Sequence, residues 1–118
     1  MIGLILGIAA LTAFITVVVK LTLMAMNWFK NKIKEKLRKR NAQKVAAVDL
    51  EEIINSTDNQ ISLDAFEKIA DEGATHLFAA VDNEGNVMDV EAVGAKEVDE
   101  DVKSLINRTR EGVVVVSA

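Results

Sequence analysis

Residues 17–40 read VVVKLTLMAMNWFKNKIKEKLRKR. An apolar run holding one lysine, Lys20, turns abruptly into a basic tract. The reading of that switch decides the fold, because it says whether lipid or protein is the solvent for the start of the chain.

Upstream, residues 2–19 are 18 positions without a charge. A helix of that length, rising 1.5 Å per residue, spans about 27 Å, close to a hydrocarbon core. Residues 21–29 could extend it. A secretory signal peptide carries its positive charge before the apolar core and ends at a small-residue cleavage site. Here the basic cluster follows the core, so the expectation is a retained transmembrane helix over residues 1–29. Lys and Arg beside a span stay on the cytoplasmic side. The amino terminus is therefore expected outside and the carboxyl-terminal domain in the cytoplasm. Trp28 and Phe29 would lie at the inner interface, where an aromatic ring suits both lipid tails and headgroups.

Lys20 has two readings. In one, the apolar core ends near Val19 and the Lys20 amine snorkels to the headgroups. In the other, the helix continues and Lys20 joins Thr12, Thr16 and Asn27 within about 80° of helix surface. Such a polar stripe would face another helix or water, as in a pore. Gly3 and Gly7, with Ala10, form a small-residue pattern suited to close helix packing.

Downstream, Phe29, Ile33 and Leu37 recur every fourth residue among Lys30, Lys32, Lys34, Lys36, Arg38, Lys39 and Arg40. That is the pattern of a basic amphipathic helix over residues 30–47, lying on an anionic leaflet. Lys/Arg runs also neutralise nucleic-acid phosphates. A tract directly after a transmembrane helix reads instead as a topology signal, so nucleic acid is not the expected partner.

The chain has 118 residues and a formal net charge of −4, which hides a split. Residues 1–44 hold nine Lys/Arg against Glu35 alone; residues 45–118 hold five against 17 acids. The two parts are expected to face different surroundings. There is no cysteine, which excludes disulfides and cysteine-ligated zinc.

Residues 48–118 read as a small acidic α/β domain. Asp49 caps a first helix, with Glu52 closing a capping box and Val48 stapling to Ile53. Residues 55–60 are a loop. Ser62 caps a second helix, with Phe66 and Ile69 inward and Gly73 at its end. Residues 75–81 and 87–93 form a hairpin around Gly85, which supplies the positive φ of a tight turn. Met88, Val90 and Ala92 alternate with Asp89 and Glu91, so one face of the second strand is expected in water. Residues 99–101 open a third helix with Val102, Leu105 and Ile106 inward; Arg108 and Arg110 suit its last turn, and Gly112 stops it. Val113, Val114, Val115 and Val116 form a final strand, apolar on both faces. It is expected antiparallel beside residues 75–81 or, by a crossover, next to residues 87–93. The expected fold class is α+β. It combines a single N-terminal transmembrane helix, a basic amphipathic connector helix and a two-layer α-α-β-β-α-β cytosolic domain.

No catalytic constellation emerges. His76 stands alone on a strand beside Phe78 and reads as a partly buried structural residue. No cysteine offers a nucleophile, and Ser56, Ser62, Ser104 and Ser117 lack a nucleophile-elbow context. Residues 82–86 are a hairpin turn, not a calcium loop, because the glycine is misplaced. No cofactor or metal is expected.

A domain of about 70 residues is marginal alone and leaves sheet edges open. The first expectation is thus a non-enzymatic, membrane-anchored assembly protein. It would self-associate along Val113, Val114, Val115 and Val116, bind an anionic leaflet and offer its acidic face to a basic protein surface. The alternative is a ligand- or partner-gated channel whose clustered helices form a pore with Thr12, Thr16 and Lys20. A third is a membrane protein of a virus particle.

Overall fold

A computed structural model describes residues 2–39, 41–56, 64–107 and 113–117. In chain order the elements are α1 (Ile2–Thr12), β1 (Val18–Met24), α2 (Met26–Leu37), β2 (Lys44–Asp49), α3 (Leu50–Ser56), α4 (Asp64–Asp71), β3 (His76–Val81), β4 (Val87–Val98), α5 (Glu100–Ile106) and β5 (Val113–Ser117). The fold is an α+β compact domain around one five-stranded mixed sheet of order β1-β4-β3-β2-β5.

The first third of the chain departs from its sequence reading. Residues 1–29 do not form one helix: α1 stops at Thr12, and the β-branched run at residues 17–19 enters a strand. Strand β1 pairs parallel with β4, Val18 opposite Ala92 and Met24 opposite Val98. Among the described residues, no helix is long and apolar enough to cross a membrane. Ile5 and Ile8 of α1 and Met24 of β1 are instead buried in the protein. The Cα radius of gyration is 12.9 Å, close to the roughly 13–14 Å of a single domain of this length.

The basic connector is also divided. Helix α2 ends at Leu37; Asn41 then takes a left-handed turn conformation (φ 67°), and β2 begins at Lys44. Asn tolerates that conformation better than other side-chain-bearing residues. Strand β2 lies between β3 and β5 and pairs antiparallel with both, Val48 meeting Leu77 on one side and Val113 on the other. The final strand therefore neighbours neither strand of the β3–β4 hairpin, as the sequence had suggested, but β2.

The sheet is covered on both faces, so the domain has three layers where two were expected. Ala46, Val48, Leu77 and Ala79 point to α1, α3 and α4, where Ile8, Leu50 and Phe66 fill one core. Val45, Ala47, Phe78 and Val93 point the other way, to Phe29 and Ile33 of α2 and Val102 and Ile106 of α5. Burial on both faces is why β2 and β3 read as near-continuous apolar runs.

Local signals in the acidic part are realised. The Glu52 amide donates to Asp49 Oδ1 at 3.3 Å, the predicted cap of α3. Gly73 (φ 102°) follows α4, and Gly85 (φ 86°) turns the hairpin. The Glu84 and Asn86 amides donate to Asp82 Oδ1 at 2.9 and 2.8 Å. These bonds, those from Asn86 above all, hold the Asp82 carboxyl below the usual range. The readings placed on Arg40, Ser62, Arg108, Arg110, Gly112 and the loop at residues 57–60 lie outside the described residues.

Candidate functional site

The basic helix meets the acidic part of the chain directly. Lys36 Nζ lies 2.6 Å from Asp89 Oδ2 and 4.0 Å from Glu91 Oε2, while Lys32 Nζ lies 2.8 Å from Glu91 Oε2 and 2.9 Å from Glu35 Oε2. Lys36 is only 4% exposed. Glu91 Oε2 is buried and meets these amines as an ion pair without good hydrogen-bond geometry. Burial of Lys32 would lower its pKa, but the Glu91 and Glu35 carboxylates outweigh that and raise it. The face of β4 bearing Asp89 and Glu91, expected in water, is covered by α2 and its lysines. Two of the basic residues read as headgroup contacts are thus counterions within the fold.

The aromatic pair is inside the protein as well. Phe29 is buried, and its ring centroid lies 5.7 Å from that of Phe78. Trp28 meets Phe78 edge-on at the same 5.7 Å separation, with Lys32 Nζ 5.4 Å from the Trp28 ring. Asp99, expected to open α5, makes no side-chain cap there, and its carboxylate serves α2: Oδ2 accepts from the Met26 amide at 3.2 Å. An acid at that helix start also suits the helix dipole.

The polar stripe Thr12, Thr16, Lys20 and Asn27 is not gathered on one helix face. Thr12 is buried, its hydroxyl donating to the Ile8 carbonyl at 2.7 Å. Thr16 is exposed ahead of β1, and Asn27 is exposed on α2. Lys20, on β1, donates to the Glu72 carbonyl at 3.2 Å, beyond the end of α4. Of the small-residue pair, Gly7 packs closely against this chain's own β4: an added Cβ would stand 2.9 Å from Val87 Cγ2. Gly3 has open space around it.

What remains outward is a set of surfaces. Lys30, Lys34, Arg38 and Lys39 are exposed on or just after α2. Between α1 and β1, Phe14 is 81% and Val17 69% exposed. Phe14, Val17 and Val19 share a cleft with Lys39 and Met88, so this apolar tip lies at the carboxyl-terminal end of α2. A continuous helix over residues 1–29 hides this tip, since Phe14 and Val17 then belong to an unbroken apolar span.

The two sheet edges differ. Strand β1 carries Lys20, a charge of the kind that guards edges against pairing. Strand β5 is Val-Val-Val-Val-Ser, without charge, proline or glycine. It has β2 on one side and, among the described residues, no strand on the other. Val115 is 39% exposed. The residues singled out from sequence, Val113, Val114, Val115 and Val116, do lie on an edge strand.

Among the described residues no group of three or more His, Asp or Glu is placed to hold a metal ion. Comparisons with protein-family models, with curated proteins and with solved structures returned no match.

Proposed function

We propose that this chain is a non-enzymatic assembly module that self-associates through β5 and works at an anionic membrane surface on the cytoplasmic side. The observation that carries the reading is the uncharged edge strand β5 with Val115 exposed. An unguarded edge is a template for another strand. A second copy is the occupant best suited to it, because two β5 strands can pair antiparallel about a twofold axis, each presenting the same valines to the other. The exposed tip at Phe14 and Val17, beside Lys39, supports the membrane part of the reading. The pore alternative draws no support, since Thr12, Thr16, Lys20 and Asn27 lie apart.

Light scattering on the purified chain, with crosslinking in native membranes, tests the proposal. The wild type is expected as a dimer. Val115→Lys is expected to be a folded monomer whose unfolding midpoint no longer rises with protein concentration, as that of the dimeric wild type should. A wild-type monomer in both experiments, or a Val115→Lys protein that still dimerises, would contradict it.

A further inference from the structure

The connection from α1 to β1 reads Ala13-Phe14-Ile15-Thr16-Val17. Turns are usually made by Gly, Pro, Asn, Asp and Ser. This connection has none of them, and Thr16 is its one polar side chain. Phe14 is 81% and Val17 69% exposed. Single apolar residues scattered over a surface need no explanation, but a group of large ones does. Here Phe14, Val17, Val19 and Met88 line one cleft, and all four are exposed.

The backbone beneath the two outermost side chains is held. The Ala13 amide donates to the Ala9 carbonyl at 3.2 Å, the Phe14 amide to the Leu11 carbonyl at 3.1 Å and the Ile15 amide to the Thr12 carbonyl at 3.0 Å. These bonds close α1 with a tightened last turn. Val17 leads directly into Val18, which pairs with Ala92 of β4. Phe14 and Val17 therefore stand near the two anchored ends of the connection, and folding presents them outward instead of covering them.

The charges around the patch select its occupant. Three acids share the cleft, Glu35, Asp89 and Glu91. All three are engaged, Glu35 and Glu91 with Lys32 and Asp89 with Lys36. Lys39, on the same cleft, makes no ion pair among the described residues, and neither do Lys34 and Arg38 on or just after α2. An apolar wedge beside unpaired cations matches an anionic bilayer. Its acyl chains accept a side chain of any shape, and its headgroups take the cations. A protein partner would instead need a pocket cut to Phe14.

We propose that Phe14 and Val17 enter the acyl layer of an anionic membrane while Lys39, with Lys34 and Arg38, rests on its headgroups. The carboxyl-terminal end of α2 then faces the lipid. This inference rests on the membrane part of the reading above and adds the side chains that make the contact. Strand β1, which the tip precedes, and β5 lie at opposite edges of the sheet, so a chain that never dimerises would still insert.

The test uses the full-length protein with two kinds of vesicle, phosphatidylcholine alone and three parts phosphatidylcholine to one part phosphatidylglycerol. The chain has no cysteine. A single Ala13→Cys, Thr16→Cys or Lys103→Cys can therefore carry an environment-sensitive nitrobenzoxadiazole label while Phe14 and Val17 stay in place. On the mixed vesicles the labels at 13 and 16 are expected to shift to the blue and escape an aqueous quencher. The label at 103, on α5, is expected to stay in water. Phe14→Ser and Val17→Ser change exposed side chains, so each is expected to keep the wild-type unfolding midpoint and to bind about tenfold or more weakly. Lys39→Gln is expected to lose about fivefold on the mixed vesicles and to leave binding to phosphatidylcholine unchanged. Bound protein whose labels at 13 and 16 stay in water, or Phe14→Ser that binds as tightly as the wild type, would overturn this proposal and leave the membrane reading standing. A chain that binds neither vesicle would overturn both. A Phe14→Ser protein that turns from dimer to monomer without lipid would give the tip to a second copy and overturn insertion as well.

Discussion

Gly94 is where two backbones touch. A Cβ added there would stand 2.3 Å from the Gly73 carbonyl oxygen, which is main chain and cannot step aside as a flexible side chain can. Gly94→Ala is expected to lower stability by about 1–3 kcal/mol, the usual cost of overpacking. The midpoint of denaturant unfolding reads it, with Gly3→Ala, in open space on α1, as a control expected to lose no stability. Lys36 and Lys30 make a second contrast on one helix. Lys36→Gln removes the buried partner of Asp89 and is expected to cost about 1–3 kcal/mol; Lys30→Gln, exposed, is expected to stay within about 0.5 kcal/mol. Equal effects would mean that the lysines of α2 are not divided into inward and outward sets. His76 supplies a pH dependence. Burial lowers its pKa below 6.5, and the Asp49 carboxylate opposes this without reversing it. Thr75, Glu51 and Lys103 complete its polar surroundings. Above the unfolded pKa the neutral ring costs nothing. As pH falls below 6.5 the unfolded chain takes up a proton that the native chain refuses, so stability declines until the folded pKa is passed. Unfolding midpoints followed downward from pH 7 should show this decline, and His76→Phe should flatten it.

At the scale of elements, legibility followed the strength of local signals. The α3 cap at Asp49, the α4 stripe of Phe66 and Ile69, the turn at Gly85 and the buried face of α5 are each set by residues within a few positions of one another. They stood in the sequence as they stand in the fold. Strands β1 and β2 did not. A short apolar run reads alike as a buried strand or as part of a buried or membrane helix, and β1 lies inside such a run. Its pairing partner, Ala92 to Val98, is far away in the chain. Strand β2 was hidden behind the charge of α2, although Asn41 followed by the apolar run Val45, Ala46, Ala47 and Val48 was a usable signal of a turn and a buried strand. The candidate site shows the same division. The edge valines were visible, because their composition is local. The Lys36–Asp89 pair and the Phe14 tip were not, because both depend on how α2 and β1 dock. Phe66, fully buried between α4 and the sheet, tests the core of the first layer. Phe66→Ala is expected to cost about 3–5 kcal/mol, and a near-normal unfolding midpoint would contradict its place there.

At the scale of the molecule, the charge split changes meaning. A basic beginning and an acidic remainder suggested two environments; part of the difference is instead satisfied where α2 lies across Asp89 and Glu91. That docking gives the sheet its second covered face, and the pairing of β1 with β4 gives it its fifth strand. The proposals about partners rest on two further features of this arrangement: β5 has, among the described residues, a strand on one side alone, and Phe14 stands at an outward tip. The most direct measurement is therefore the NMR pattern of contacts made by residues 2–29 in the full-length chain. The fold described predicts interstrand contacts in parallel register from Val18–Ala92 through Met24–Val98, with helical contacts ending at Thr12. Helical contacts running unbroken through residues 13–24, with none to β4, would contradict it.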